Sequence, residues 1–388
     1  MYVDRILGKK LKEITRQFPV IFLTGPRQSG KTTLLRNELP DYQYVNLEDP
    51  DLRQWAIDQP RDFLVHHPWP LILDEVQHVP SLFSYIQLLV DEHNIPGMFV
   101  LSGSQNFLLM EKISQSLAGR SAVLSLLPFS WPELSHIKAL QNIRTDSLII
   151  KGFFPRLYAT KNINVSLFYK SYLNTYVEKD VRQLSHIGNL NDFIRFIKLC
   201  AGRSGQLLNI SSLATEAGIA YNTCKSWISW LQAGYIIYLT SPHYKNLNKR
   251  IVKSPKIYFS DTGLLTHLLG IDSSDTLSLH PLRGAVFETL VFSELLKHRL
   301  NNLHAPNLWF WRDNHGTEVD FLLESDTGIN AVEVKSGMNF HQEWLSNILR
   351  YARYNPSLKK KILAYDGTIE RNINGVEIVN WRKLSELV

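Results

Sequence analysis

Cysteines are scarce in this sequence, and long apolar runs are absent. Only Cys200 and Cys224 occur among 388 residues, which excludes a disulfide framework and a four-cysteine zinc site and favours a reducing compartment. No apolar run approaches the length that spans a bilayer, and the first residues lack the apolar core of a signal peptide. Internal repeats and low-complexity segments are absent as well. We therefore expect a cytoplasmic protein without a membrane segment.

The composition is that of a folded globular protein. Hydrophobic residues make up 44% of the chain and charged residues 20%, which excludes an intrinsically disordered chain. A chain of 388 residues is too long for one ordinary hydrophobic core, so we expect two or three domains. The net charge of +6 permits binding to nucleic acid but does not require it.

The segment from Gly25 to Thr32 matches the phosphate-binding pattern GxxxxGK[ST] at every fixed position. An apolar strand is predicted over residues 18–24 and a helix from Lys31 onward, so backbone N–H groups and the positive end of the helix dipole would face bound phosphates. Lys31 would reach the β- and γ-phosphates, and Thr32 would bind Mg²⁺. The alternative is a chance glycine turn before a helix, which the flanking strand and helix disfavour. The predicted nucleotide-binding residues of the loop are Gly25, Pro26, Arg27, Gln28, Ser29, Gly30, Lys31, Thr32 and Thr33.

A second apolar strand, over residues 71–75, ends in Asp74 and Glu75. In open α/β sheets, ligands bind at the carboxyl ends of the strands. Asp74 would hold Mg²⁺ through water and bind the nucleotide complex, while Glu75 would orient and deprotonate the attacking water as a catalytic base. The alternative is a strand that ends in a solvated acidic turn.

Two later segments add candidate residues around the nucleotide. The apolar run 98–101 leads into residues 102–105, which place Ser104 and Gln105 where either side chain could contact the γ-phosphate or the water. This pattern resembles the sensor strand of AAA-type ATPases. Arg120 has two equally weighted interpretations, a surface arginine at a helix end or a catalytic arginine finger. A finger would act on a neighbouring subunit and would imply a homo-oligomer.

The order of the elements predicts the fold of residues 1–150. Five short apolar runs, at 18–24, 44–47, 71–75, 98–101 and 122–127, alternate with helical segments. That alternation favours a parallel sheet covered by helices, the α/β arrangement of a P-loop NTPase. No guanine-specificity motif is present, so we expect ATP rather than GTP.

Residues 151–275 have helical apolar spacing, which residues 177–182 would continue, and contain a helix-turn-helix pattern at 210–219 and 221–231. Two strands at 235–239 and 256–259 would form a wing, and the residues between them carry four basic side chains and no acidic one: Lys245, Lys249, Arg250 and Lys253. Residues 221–256 are therefore a candidate DNA-binding surface. The alternative is a packing platform or a surface for a protein partner. Sequence-specific readout is not expected, because the second helix offers only Asn222, Thr223 and Lys225.

Residues 276–388 combine a helix and a hairpin that carry acidic side chains. Glu288 lies on the apolar face of a helix predicted over 283–296, where a carboxylate is costly unless it is paired or bound to metal. A turn at 325–328 would join strands 317–324 and 331–335, with Asp320 opposite Glu333 and Glu318 opposite Lys335. Because side chains alternate along a strand, all four would project from one face.

This arrangement resembles the PD-(D/E)xK nuclease core, although Val319 stands where the family pattern has proline. The resemblance implies that Glu288, Asp320 and Glu333 bind a metal and that Lys335 stabilises the attacking water or the transition-state charge. Lys335 could equally form a cross-strand salt bridge. An active nuclease and a nuclease-like fold retained for binding both remain open.

The motifs taken together resemble a family of prokaryotic AAA-like ATPases with a C-terminal domain of unknown function. The resemblance extends over nearly the whole chain, through the phosphate loop and residues 73–77, 102–105, 117–120, 152–155, 261–264, 284–288 and the two acidic strands. It implies ATP binding with Mg²⁺ but supplies no substrate. Three hypotheses follow: an ATPase whose nucleotide state controls the C-terminal half in DNA handling or defence, a non-hydrolysing ATP-gated interaction protein, and an ATP-regulated nuclease.

Overall fold

The computed structural model describes residues 2–104, 117–176, 190–243, 254–325 and 328–388. The described strands are β1 (Val20–Thr24), β2 (Gln43–Asn46), β3 (Leu71–Asp74), β4 (Phe99–Gly103), β5 (Ser121–Ser125), β6 (Gln206–Leu207), β7 (Ile237–Pro242), β8 (Lys256–Phe259), β9 (Leu308–Arg312), β10 (Glu318–Ser325), β11 (Gly328–Lys335), β12 (Leu358–Tyr365), β13 (Arg371–Ile373) and β14 (Val376–Asn380).

The described α-helices are α1 (Ile6–Thr15), α2 (Lys31–Glu38), α3 (Pro50–Asp58), α4 (Pro60–His66), α5 (Leu82–His93), α6 (Trp131–Leu134), α7 (Thr145–Lys151), α8 (Arg156–Ala159), α9 (Val165–Thr175), α10 (Leu190–Ala201), α11 (Ile210–Ala217), α12 (Tyr221–Ala233), α13 (Thr262–Leu269), α14 (Ser274–Leu279), α15 (Arg283–Asn301) and α16 (Ser346–Tyr354). Short 3-10 helices lie at Val76–His78, Lys138–Leu140, Gln342–Leu345 and Trp381–Glu386. Among the helices of these residues, none combines the length and the apolar character that a bilayer crossing needs.

The first five strands form one parallel sheet in the order β2-β3-β4-β1-β5. Strands β1, β3 and β4 are buried along their whole length, as expected for strands that are covered on both faces. Apolar clusters lie on the two sides of the sheet. The α/β fold class is therefore confirmed. Because the strands are parallel, the ends of β1, β3 and β4 meet at one edge.

The remaining strands form a nine-stranded sheet in the order β13-β14-β12-β11-β10-β9-β7-β8-β6. Phe321 pairs with Val332 and Leu323 with Asn330, which is the predicted hairpin register over residues 321–325 and 328–332. Strands β7 and β8 pair antiparallel, as the predicted wing requires. They do not stand apart, however, because Ser241 of β7 also pairs with Trp309 of β9.

One hydrophobic cluster crosses the borders between the segments. It extends from Leu127, just after β5, to Leu384 near the C-terminus, and it includes buried side chains of α10, α12 and α15. The two helices predicted at 210–219 and 221–231 are present as α11 and α12, separated by Gly218 with φ of 71°. The helix predicted at 283–296 is confirmed within α15.

Some predicted features lie outside the described residues. They are Gln105, the continuation of the helix over residues 177–182, the basic residues Lys245, Lys249, Arg250 and Lys253, and the turn residues Asp326 and Thr327.

Candidate functional site

The phosphate loop joins β1 to α2 and depends on glycine at its first position. Gly25 has φ of 149°, and a Cβ there would lie 2.1 Å from the carbonyl oxygen of Leu126. Gly30 precedes α2 with φ of 95°. Lys31 Nζ donates to the carbonyl oxygens of Gly25, at 3.0 Å, and Pro26, at 3.1 Å. The Lys31 ammonium therefore lies over the loop in which a phosphate would be held.

Arg5, which also lines the cavity beside the loop, binds the loop backbone, a role that the sequence gave no signal for. Its guanidinium is buried and donates to the carbonyl oxygen of Ser29 at 2.8 Å and to Glu133 Oε1 at 3.0 Å. In a trans peptide the C=O and the following N–H point in opposite directions. The Gly30 N–H, in the same peptide as the Ser29 carbonyl, therefore points away from Arg5.

Asp74 lies at the end of β3 and meets the first turn of α2. Its Oδ2 accepts hydrogen bonds from Thr32 Oγ1 at 2.6 Å and from the Tyr44 hydroxyl at 2.7 Å. Its Oδ1 accepts from the Ser102 hydroxyl at the end of β4. Burial and the adjacent Asp74 carboxylate raise the pKa of Tyr44, which keeps this hydroxyl a donor. Three neighbouring strands and α2 thus converge on one carboxylate.

Glu75 follows Asp74 in a left-handed backbone conformation, with φ of 55°. Gln77 Nε2 donates a hydrogen bond to Glu75 Oε2, and Glu75 lines the cavity beside the phosphate loop. The sequence placed Gln77 within a family-like stretch but assigned it no role. The structure shows that Gln77 fixes the orientation of the predicted catalytic base.

A cavity of about 800 Å³ opens between the loop and the segment that follows the first sheet. Its lining includes residues of the loop and α2: Arg27, Gln28, Gly30, Lys31, Thr32 and Thr33. It also includes apolar and aromatic residues: Tyr2, Val3, Phe129, Ile137, Pro155 and Tyr158. Ser29 Oγ and Ser104 Oγ are buried and have no hydrogen-bond partner among the described residues.

Arg156 reaches the same cavity from α8. The Arg156 guanidinium has no ion-pair partner within the described ranges of the chain, so its charge is available to an anionic ligand. The sequence missed this residue, although it directly follows the Gly-Phe-Phe-Pro stretch at 152–155. That stretch was the only signal that could have pointed to it.

Arg120 lies at the other end of the first sheet. Arg120 immediately precedes β5, and its backbone carbonyl accepts a hydrogen bond from the Val20 N–H at the start of β1. The phosphate loop follows the opposite end of β1, which runs parallel to β5. The Arg120 guanidinium binds both carboxylate oxygens of Asp91. Arg120 is therefore remote from the nucleotide loop of its own chain, so a finger would have to act on a neighbouring subunit, and the alternative of a surface arginine paired with Asp91 stays open.

A direct contact links the first sheet to the middle segment. The buried Tyr235 hydroxyl lies 3.1 Å from Thr24 Oγ1, and Thr24 is the last residue before the phosphate loop. Tyr235 has φ of 59°, and its carbonyl accepts from the Ser260 hydroxyl. A buried hydrogen bond thus joins the last residue of β1, just before the loop, to Tyr235, two residues before β7.

The acidic residues of the C-terminal half converge as well, but not in the predicted combination. One carboxylate oxygen each from Glu288, Glu318 and Asp320 lies within 4.8 Å of the others. Glu333, predicted as the third ligand, instead binds Lys335 Nζ at 2.7 Å through Oε1. Its Oε2 is buried without a partner among the described residues.

Burial dominates the electrostatics of these carboxylates. Burial and the neighbouring Glu333 raise the pKa of Asp320 well above its ordinary value, and burial also raises the pKa of Glu333. Asp320 is partly satisfied by the backbone N–H of Val334, at 2.8 Å. Such a cluster is costly without positive charge nearby.

Lys256 of β8 supplies positive charge that the sequence did not predict there. Its Nζ lies 3.0 Å from Glu288 Oε1 and also contacts Glu318 Oε1, and its side chain is only 2% exposed. Burial lowers the pKa of Lys256, but Glu288 and the other carboxylates outweigh that effect and raise it. Lys256 is thus cationic and internal. It cannot serve as a phosphate contact of the candidate DNA surface 221–256.

Comparison with known proteins assigns the chain. Residues 17–135 match the AAA domain, and residues 143–275 and 283–384 match two domains of unknown function, DUF8612 and DUF4143. Uncharacterized proteins of Mycobacterium tuberculosis and Mycobacterium bovis are each 30% identical to the chain over 368 residues, which cover 94% of this chain and 80% of theirs. The chain belongs to their family. Its AAA domain places it among the AAA-like, ATP-binding ATPases.

Two solved structures resemble this AAA-like ATPase at lower similarity. A Walker-type ATPase of Pyrococcus abyssi is 14% identical with a TM-score of 0.47, over 69% of this chain and 96% of that one. AMPPCP-bound DnaA of Aquifex aeolicus is 15% identical with a TM-score of 0.30, over 58% of this chain and 86% of that one. Both TM-scores are below 0.5, so the assignment rests on the sequence matches and the sheet topology.

Proposed function

We propose that the chain binds MgATP in the cavity beside the phosphate loop and hydrolyses it. The observation that carries this proposal is the 2.6 Å contact between Thr32 Oγ1 and Asp74 Oδ2, next to Lys31. These two oxygens belong to the donor type that Mg²⁺ prefers, and the unpartnered Ser29 hydroxyl offers a further polar group inside the loop. The residues present therefore suit a phosphate chain with its metal. The adenine would lie against the apolar and aromatic lining residues Tyr2, Val3 and Ile137.

The side chains divide the chemistry between them. Mg²⁺ would neutralise charge on the phosphates. Lys31 and Arg156 would stabilise the negative charge that develops as the bond from the γ-phosphorus to the bridging oxygen breaks and ADP leaves with the electron pair. Glu75, held by Gln77, would take the proton of the attacking water while the water oxygen bonds to the γ-phosphorus.

The first test measures MgATP hydrolysis by the wild type and by Lys31→Ala, each with and without double-stranded DNA. Lys161→Ala, which changes an exposed lysine, is the matched control. Turnover that is lost in Lys31→Ala and rises with DNA supports an ATPase coupled to nucleic acid. Turnover that is lost in the variant but ignores DNA favours a protein partner. ATP binding without turnover in the wild type would favour a non-hydrolysing, ATP-gated interaction protein.

We also propose that the nucleotide state acts on the C-terminal half through the Tyr235 contact. Thr24, which precedes the phosphate loop, touches Tyr235, and β7 continues from there into the nine-stranded sheet. A displacement of the loop on nucleotide binding would therefore reach the sheet that carries the acidic residues. The output that we propose is DNA handling, including defence, for which the exposed Asn222 and Lys225 on α12 offer polar contacts.

A second candidate function is metal-dependent DNA cleavage at the C-terminal carboxylates. It is favoured by the approach of Glu288 and Asp320 and by the unpartnered, buried Oε2 of Glu333. Lys335 would stabilise the attacking water or the transition-state charge. The test compares Mg²⁺- or Mn²⁺-dependent cleavage of single- and double-stranded DNA by the wild type and by Asp320→Ala. Equal background from both proteins would remove this candidate and leave a nuclease-like fold that only binds.

A further inference from the structure

The C-terminal carboxylates form a cluster in which four acidic groups meet three basic ones. Glu288 comes from α15, Glu318 and Asp320 from β10, and Glu333 from β11. Their positive partners are the buried Lys256, the half-buried Lys335 and the more exposed Arg312, which reaches Glu318 at 3.2 Å. A buried set of carboxylates is stable only when further cations or protons balance it.

The Glu333 carboxylate is a second observation that points to a cation. Glu333 is almost fully buried, yet only its Oε1 has a partner, while Oε2 has none among the described residues. Buried carboxylate oxygens without a hydrogen-bond donor are rare in folded proteins. Together with the convergence of Glu288, Glu318 and Asp320, this oxygen indicates a site for a hard, oxygen-preferring divalent cation such as Mg²⁺ or Mn²⁺.

The Lys256 ammonium group already occupies carboxylate oxygens that such a cation would bind. This group contacts Glu288 and Glu318, two of the three carboxylates that converge. The Tyr258 hydroxyl, on the same strand, also donates to Glu288. Lys256 belongs to β8 and not to the helix and hairpin that carry the acids, so its position is set by a different part of the chain.

We propose that Lys256 is an internal cation that competes with a divalent metal for Glu288 and Glu318, so that metal binding requires the lysine to withdraw. The proposal rests on the metal site of the second candidate function but not on cleavage. The chain would hold its carboxylate cluster closed with its own ammonium group. A movement of β8 would open the cluster.

The first experiment measures Mn²⁺ binding to the full chain, by the electron paramagnetic resonance signal of free Mn²⁺. Lys256→Met is expected to bind Mn²⁺ at least about tenfold more tightly than the wild type, since removal of a competing charge at contact distance gives at least that much. Lys297→Met is the matched control, because Lys297 is equally buried and paired to a carboxylate, Glu294, elsewhere. It is expected to bind Mn²⁺ as the wild type does.

Equal Mn²⁺ affinity of Lys256→Met and the wild type would overturn the competition, and so would the absence of Mn²⁺ binding to both. Equal affinity leaves the cleavage comparison of wild type and Asp320→Ala to decide the nuclease separately, whereas absence of binding also counts against Mn²⁺-dependent cleavage at these carboxylates. Asp320→Asn in the Lys256→Met background is expected to lose the tight binding. Retention of tight binding there would place the Mn²⁺ elsewhere and overturn the site.

A second experiment on the wild type does not depend on the folding of a variant. An amine-acetylating reagent is applied with and without saturating Mn²⁺, and the labelling of Lys256 and Lys297 is read by mass spectrometry. Mn²⁺ is expected to raise the labelling of Lys256 several-fold and to leave that of Lys297 unchanged. Unchanged labelling of Lys256 would overturn the proposal.

Discussion

At the scale of single residues, Glu75 is the side chain on which the proposed hydrolysis depends. We expect Glu75→Gln to lower kcat by about 10²–10⁴-fold, the usual contribution of a general base, while ATP still binds. The amide cannot take the proton, but Lys31, Thr32 and Asp74 are untouched. Single-turnover hydrolysis and equilibrium binding of ATP check both parts, with Glu92→Gln, an exposed change on α5, as the control. Undiminished kcat in Glu75→Gln would assign the base to another group.

Arg156, which lines the cavity from α8, is predicted to act on the same reaction. We expect Arg156→Ala to lower kcat/KM for ATP by about 10–100-fold, the loss that follows removal of a charged hydrogen-bond donor. Arg16→Ala, an exposed arginine just after α1, is the matched control. Steady-state kinetics at several ATP concentrations decide the question. Kinetics of Arg156→Ala that match those of the control would show that the nucleotide does not reach α8.

Arg5 is predicted to matter for stability as well as for the loop. We expect Arg5→Met to lower the free energy of unfolding by about 3–5 kcal/mol, because it leaves the buried Glu133 carboxylate without its charged partner. The double variant Arg5→Met, Glu133→Met is expected to lose less than this single variant. Urea unfolding of all three proteins measures the difference. Equal stability of Arg5→Met and the wild type would contradict the role given to this ion pair.

The residues that the sequence could identify are those with a local pattern. The phosphate loop and the Asp74–Glu75 pair follow apolar strands at fixed spacing, and the structure brings the two predicted Mg²⁺ ligands Thr32 and Asp74 into contact. Arg5 and Lys256 were missed because their contacts join distant parts of the chain, and Arg156 because only the folded chain brings α8 to the cavity. Lys256 and Glu288, for example, are 32 positions apart in sequence and lie on different elements.

At the scale of elements, Gly25 at the start of the phosphate loop allows a test of whether the observed loop conformation is needed for ATP binding. We expect Gly25→Ala to abolish ATP binding, because a Cβ at this position would meet the Leu126 carbonyl oxygen at 2.1 Å. Gly119→Ala is the matched control, since Gly119 also has positive φ but would place its Cβ in open space. Equilibrium binding of a fluorescent ATP analogue to both variants reports the outcome. Normal binding by Gly25→Ala would show that the loop can shift to accept a side chain.

The sequence pattern predicts pairing between strands that are adjacent in sequence, but not pairing between strands that are far apart in sequence. Alternating side chains and a turn predicted the register of β10 with β11 correctly, since both strands are adjacent in sequence. The pairing of β7 with β9 had no such signal, because more than sixty residues separate the two strands. The predicted wing strands were therefore found, but their membership of the larger sheet was not expected.

At the scale of the whole molecule, Arg120 decides whether subunits cooperate. If Arg120 acts on a neighbouring subunit, Lys31→Ala and Arg120→Ala mixed in equal amounts are expected to hydrolyse more ATP than either alone. In such pairs one loop is intact and faces an intact arginine. Light scattering with a non-hydrolysable ATP analogue measures the assembly in parallel. A monomer with full activity would remove the finger and leave Arg120 as the partner of Asp91.

The nine-stranded sheet contains strands from both the middle segment and the C-terminal segment, which affects which fragments of the chain can be expressed alone. Expression of residues 276–388 alone would remove β6, β7 and β8 and leave β9 as an open edge. That edge presents unpaired backbone groups next to Trp309 and Phe310, which is a template for pairing with other chains. The isolated fragment is therefore expected to self-associate and precipitate, whereas a fragment that begins before β6 keeps its edge covered.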